Sequence, residues 1–190
     1  MEIIRHHGVD KLTTRSLSEA VGVAQPTLFL HFGSKSQVLL ALVDAIQSNL
    51  QEKMRGFDLG SLTPLERLRA VIRAHLGFIQ EQPGIPRLLF SEELRSGDPA
   101  VRQRMEELVM FFLQFLAGLI RAGQASGELR ADLDAEQCAC ILISCVQGLA
   151  FRWILSDFRF VLAEQADAVI STFIEGWRAR TPEKEPSSDV

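Results

Sequence analysis

Apolar positions recur every three to four residues along this chain, and nowhere do they alternate with polar ones between hairpin turns. That period predicts helices throughout. Residues 1–7 read as the end of a helix stopped by Gly8. Thr13 is a natural N-cap for a helix over 14–21, on which Leu17, Ala20 and Val21 share an apolar face. Gly22 is placed to end that helix in the left-handed conformation glycine tolerates, and Val23 to plug the core behind it. A second short helix runs from Ala24 to His31. Pro26 sits in its first turn, where a missing N–H costs little, and Leu28 and Phe32 form its apolar side. Ser34 then caps a long helix over 35–55 with Val38, Leu39, Leu42, Val43 and Ile46 on its inner face.

Glycines and polar residues interrupt the pattern between Gly56 and Thr63. This places a domain boundary, with a small head over 1–50 and a larger body over 51–180. In the body, Thr63 and Pro64 open a helix that runs to about Gln82, and a short helix follows over about 85–94. Ser96-Gly97-Asp98-Pro99 stops that helix and starts a long apolar one, which Gly127 ends. Asp134 caps another helix to about Leu155, and the last spans about 161–178. The polar, proline-containing tail, 181–190, is expected to be disordered. The last two helices are apolar on more than one face, a property most easily buried across a two-fold dimer interface.

Two short helices broken at a glycine, the second opened by proline, form the pattern of a helix-turn-helix, whose second helix lies in the major groove of DNA. Charge tempers that reading. The net charge is −4, and the head is neutral, with Arg5, Lys11, Arg15 and Lys35 against Glu2, Asp10, Glu19 and Asp44. A local basic surface near Arg15 and Lys35 has to meet the phosphates. A hydrophobic content of 47% leaves apolar surface for a partner. The longest apolar candidate, 138–155, is interrupted by Ser144, Gln147 and Arg152, so no membrane span is expected. With no secretory signal before the first helix, the expectation is a cytoplasmic chain. Cys138, Cys140 and Cys145 fit no zinc spacing and read as buried small apolar residues.

The run from Thr13 through Lys35, closing on Leu28-Phe29-Leu30-His31-Phe32-Gly33-Ser34-Lys35, resembles the signature of the TetR family of bacterial transcriptional repressors over roughly residues 5–47. The resemblance implies an all-α fold, a helix-turn-helix DNA-binding head followed by a helical ligand-binding and dimerisation domain. It implies a homodimeric regulator that binds a near-palindromic double-stranded operator and leaves it when a small, mostly hydrophobic inducer enters the body. It implies no catalytic residue, metal or cofactor. Carried over position by position, Arg15 reaches a phosphate or base edge, and Gln25 and Thr27 face base edges. Pro26 makes an apolar contact, His31 donates to phosphate, and Lys35 meets phosphate at a helix N-terminus. Three positions depart from the pattern. Phe29 stands where the family usually has tyrosine, so a phosphate-bonding hydroxyl is lost. Leu30 stands where a polar or basic residue is common. The first helix is about two turns shorter than the family's, which leaves Leu17, Leu28 and Val38 less supported and is expected of a downstream start or a weaker head.

The body offers a pocket of aromatic and polar candidates: Phe78, Phe90, Met110, Phe111, Gln114, Gln147 and Phe151. Plain core would use the same residues, and His75 suggests no role. For the dimer seam, Ile141, Cys145, Gly148 and Arg152 share one face of their helix, and Val169, Phe173 and Trp177 form a matching stripe on the last. The alternative to a ligand-released repressor is a ligand-independent DNA-binding or scaffold protein, or a regulator whose shortened head binds DNA poorly. No glycine-rich phosphate loop, metal cluster or nucleophile–base spacing suggests an enzyme.

Overall fold

Side-chain caps start most of the helices in the computed structural model, which describes residues 1–55 and 60–178. The first is α1 (Glu2–His7), stopped by Gly8 at φ 79° and followed by a 3-10 turn, Val9–Lys11. Thr13 and Ser16 then cap α2 (Thr14–Val21) reciprocally: Ser16 N–H donates to Thr13 Oγ1 at 3.0 Å, and Thr13 N–H donates to Ser16 Oγ at 2.9 Å. Gly22 ends α2 at φ 74°, in the left-handed region. After α3 (Gln25–His31) comes α4 (Lys35–Arg55), where Gln37 N–H donates to Ser34 Oγ at 3.2 Å. A second reciprocal cap, Thr63 with Glu66, opens α5 (Pro64–Glu81).

The short helix expected over 85–94 is two helices, α6 (Gly84–Leu89) and α7 (Glu92–Ser96). Ser91 explains the break: its hydroxyl donates to Leu88 O at 2.7 Å and accepts from Leu94 N–H at 3.2 Å, so it closes one helix and caps the next. Asp98 caps α8 (Pro99–Ala125), and Asp134 caps α9 (Ala135–Leu155). The last helix begins at Ala163, within two residues of the expected start, and Gln80 Oε1 on α5 accepts from Ala163 N–H there at 3.0 Å. It winds through a 3-10 turn (Ala163–Gln165), a single α turn, α10 (Ala166–Val169), a π turn (Ile170–Ile174) and another 3-10 turn (Glu175–Trp177). The only β-type contact among the described residues is an isolated bridge between Leu129 and Arg178.

Within the body, α8 packs along α9, α4 and α5 pack on α8, and α6 bridges α9 to α1. One continuous core runs from Ile4, Val9 and Leu12 through Val38, Leu39 and Val43 to Leu116, Leu142 and Ile174. The boundary at 50/51 therefore falls inside α4, which serves both head and body. Residues 56–59 of the expected linker and the tail 181–190 lie outside the described residues.

Three other expectations need correction. Val23 does not plug the core: it is 38% exposed and Val21 60%, and Ala20 is exposed too, while Leu17 is half-buried. Helix α1 packs on the 3-10 turn, on α6 and on α2. Cys140 is exposed whereas Cys138 is buried, since two helical steps turn the side chain by roughly 200°. Finally, α8 and α9 are each long and apolar enough, by length and composition, to cross a membrane. In this fold they are packed against one another and against α4, α5 and α6.

Candidate DNA-binding face and ligand cavity

The recognition helix α3 buries only Leu28, which anchors it to the head. Gln25, Pro26, Thr27, Phe29, Leu30 and His31 are all exposed, Phe29 by 53% and Leu30 by 88%. Gln25 Nε2 donates to Thr14 Oγ1 at 3.3 Å, which ties the start of α3 to the start of α2. Arg15 is 80% exposed and pairs with Glu19 at 3.0 Å. A pair that open to water is worth at most about 1 kcal/mol, so the guanidinium is free to turn to a phosphate. Beside it, His7 and Lys11 line an open groove with Thr13, Arg15 and Ser16. Lys11 was legible in the sequence only as a head charge; its place in this groove needed the 3-10 turn that presents it.

Lys35 is not free. Its Nζ lies 2.6 Å from Glu93 Oε2 on α7, with the two side chains 31% and 24% exposed. Next to it, Ser36 donates to the Asp98 carboxylate, which also accepts from Ala100 N–H at 2.9 Å; the backbone bond, then the serine, hold Asp98 below the usual carboxylate range. The start of α4 is thus held to the corner between α7 and α8, a contact that sequence spacing over some 60 residues did not reveal.

The body holds a partly open cavity of about 80 Å³. Its wall is built from Ile46 and Leu50 of α4, His75, Phe78 and Ile79 of α5, and Ile85, Pro86 and Leu89 of α6. Met105, Leu108, Val109 and Phe112 of α8 and Ile143, Gln147 and Ala150 of α9 complete it. Of the pocket candidates from the sequence, Phe78 and Gln147 are on this wall. Phe90, Met110, Phe111, Gln114 and Phe151 are not, and the reason is helix phase. The cavity side of α8 is the stripe 105, 108, 109, 112, which turns Met110 and Gln114 outward to solvent and leaves Phe111 half-buried beside it. Phe90 instead meets Phe151 edge to face, with centroids 5.1 Å apart, and Phe151 is 43% exposed. His75, to which the sequence assigned no role, stacks on Phe112 at 4.2 Å. Burial lowers its pKa to about 4, so the imidazole is neutral at physiological pH.

On α9, Ile141, Gly148 and Arg152 lie on one exposed stripe, with Cys145 half-buried at its side. Ser144, Phe151 and Leu155 extend that stripe, and Met110 exposes a parallel one on α8. Of the stripe expected on the last helix, Val169 faces inward while Phe173 and Trp177 keep part of their surface exposed. Val169 is 3% exposed and is spent on the chain's own core, and Phe173 and Trp177 are half-buried against it, their rings 6.0 Å apart.

Residues 1–42 match the family described as bacterial regulatory proteins, tetR family, and residues 64–169 match the tetracyclin repressor-like C-terminal domain. The chain belongs to the TetR family. It is a helix-turn-helix regulator of transcription with an all-α body. The fatty acid metabolism regulator protein of Bacillus subtilis (strain 168) is 23% identical over 176 residues, covering 93% of this chain and 90% of its own length. The nucleoid occlusion factor SlmA of Vibrio cholerae serotype O1 is 28% identical over 157 residues, covering 82% and 80%. Among solved TetR-like structures, the fatty acid degradation regulator FadR from Bacillus halodurans superposes with a TM-score of 0.82 at 22% identity, over 94% of this chain and 92% of that one. FadR from Bacillus subtilis in complex with stearoyl-CoA gives 0.75 at 22% identity, over 92% and 94%. At these identities the superpositions show the shared fold.

Proposed function

We propose that this TetR-family chain is a repressor that leaves its operator when an apolar ligand of the long-chain acyl class enters the body cavity. The observation that carries the reading is the seating of α6. One side of it lines the cavity through Ile85, Pro86 and Leu89. The other side meets the head: a Cβ on Gly84 would stand 2.9 Å from Met1 Cε, 3.0 Å from Met1 O and 3.6 Å from Ile4 Cβ. A cavity of about 80 Å³ is half the ~150 Å³ of one that takes benzene, so an alkyl chain has to displace its wall. Displacing α6 moves α1, and with α1 the recognition helix.

The energy is sufficient. Lowering operator affinity a hundredfold needs about 3 kcal/mol of difference between the ligand's two binding states. Burying about four methylenes in the ligand-bound state alone supplies that, at ~0.8 kcal/mol each. Support for the acyl class comes from the relatives that are named for fatty acid metabolism and from the complex with stearoyl-CoA. The exposed apolar stripe of α9, with Met110 of α8, is the surface on which two copies would pair and set their recognition helices on the two half-sites. Arg15, Lys11, Gln25, Pro26, Thr27, Phe29 and His31 are the DNA-facing residues in this reading, joined by Lys35 when it parts from Glu93.

The test is fluorescence anisotropy of the chain on a labelled duplex from upstream of its own gene, with a scrambled duplex beside it, before and after adding stearoyl-CoA. Specific binding that stearoyl-CoA reverses is the expected result. Specific binding that saturating stearoyl-CoA leaves unchanged favours the second reading, a ligand-independent DNA-binding protein. The small volume of the cavity and the nucleoid occlusion relatives support that alternative.

A further inference from the structure

A buried imidazole nitrogen without a hydrogen bond is uncommon in a folded protein, and the cavity wall holds one. His75, a part-buried residue of that wall, has a buried Nδ1 with no hydrogen-bond partner among the described residues. The ring stacks on Phe112 across the wall, with centroids 4.2 Å apart. Among the described residues that line the cavity, Gln147 of α9 brings the only other polar side chain; the rest are aliphatic, aromatic and thioether groups, and none is charged. Held neutral by burial, the imidazole has one nitrogen that donates and one that accepts, and the glutamine amide offers both functions too.

We propose that the ligand is an apolar molecule bearing one uncharged hydrogen-bonding group, a hydroxyl or a ketone, ester or thioester carbonyl, which His75 and Gln147 hold between them. The inference rests on the cavity being the ligand site. Its physical basis is the asymmetry of a dry polar group: left unmade, the hydrogen bond is a standing cost, and a ligand that makes it recovers that cost as affinity. A carboxylate gains less: it has to be stripped of water, and the cation Lys53, which lines an adjoining cleft with His75, Phe78 and Phe112, is already paired with Glu81 at 2.5 Å.

The experiment is calorimetric titration of the full chain and its His75→Phe and Gln147→Leu variants with 1-octanol, 1-chlorooctane and octanoate. Phenylalanine keeps a ring to stack on Phe112, and chlorine, though larger than a hydroxyl, donates no hydrogen bond, so its size cancels when the ratio is compared between variants. The expected result is a ratio of octanol to chlorooctane affinity that falls about fivefold in each variant, the worth of one neutral hydrogen bond. Octanoate is expected to bind the unsubstituted chain most weakly of the three. Circular dichroism melts establish that each variant is folded, and if one is not, the other carries the test. An unchanged ratio overturns the polar anchor and leaves the cavity as a plain apolar site. Octanoate binding tightest also overturns it. Failure of all three to bind overturns the polar anchor, and failure of stearoyl-CoA to bind beside them overturns the reading of the cavity as a ligand site as well.

Discussion

The contact between Lys35 and Glu93 sets the lysine's two partners against each other. Lys35 opens α4, where the family pattern places a phosphate contact, yet in this structure it is hydrogen-bonded to a carboxylate of α7 at 2.6 Å. Meeting a phosphate requires leaving Glu93. The pair is about one-third and one-quarter exposed, so solvent screens it, and the cost of parting is about 1 kcal/mol, the upper end for exposed pairs. Glu93→Gln removes the competing charge while keeping the side chain's length. Operator affinity should then rise about fivefold for one head, and about thirtyfold if both heads of a dimer act independently. The assay is anisotropy on the operator duplex across a salt series. Lys35→Met should weaken binding and flatten the dependence of log K on log salt by about 0.9 per head, the signature of one lost phosphate contact. In the Lys35→Met background, Glu93→Gln should have little effect, because the competition it relieves is gone. If Glu93→Gln weakens operator binding, or strengthens it equally with and without Lys35, the reasoning fails. The pair would then be a strut that positions the head, or Glu93 a general repulsive charge.

His75 makes stability depend on pH with a defined sign. Its native pKa of about 4 lies below the ordinary 6.5, so the unfolded chain takes up a proton that the native ring refuses. The stability is fully present above about pH 6.5 and is lost as pH falls through 4, by up to about 3 kcal/mol. Urea unfolding at pH 7.5, 5.5 and 4 should show a shallower loss for His75→Phe, and parallel losses would contradict the assignment. Gly22→Ala forces a side chain into the left-handed region at φ 74° and should destabilise the head by about 1–2 kcal/mol, read by urea unfolding and by faster proteolysis near residue 22. Ile141→Glu places like charges at the centre of the exposed α9 stripe, where Ile141 is 52% exposed. Sedimentation should then report a monomer where the proposed reading makes the unsubstituted chain a dimer, and an unchanged mass would move the proposed seam elsewhere.

Most of the helices and their ends were legible in the sequence because the causes are local. A cap such as Thr13 with Ser16, a proline in a first turn, or a glycine at positive φ acts within four residues and needs no tertiary partner. The helix-turn-helix was legible for the same reason, since Leu28 inside and Gln25, Thr27 and Phe29 outside follow from the phase of one short helix. Where two helices met, the sequence was silent. On α8, apolar residues run almost continuously, and only packing chose the side carrying Met105, Leu108 and Phe112 to line the cavity and turned Met110 to solvent. The last helix reads as an amphipathic stripe ready for a partner, yet packing against the body buried Val169 in the chain's own core. His75 and Glu93 show the same limit. Each owes its role to one neighbour from a distant helix, Phe112 for the histidine and Lys35 for the glutamate. By itself, then, the sequence determined the elements, the order of the fold and the DNA-reading helix, through interactions between near neighbours. The tertiary structure alone decided which faces became cavity, core or open surface, because burial is a property of the packed whole.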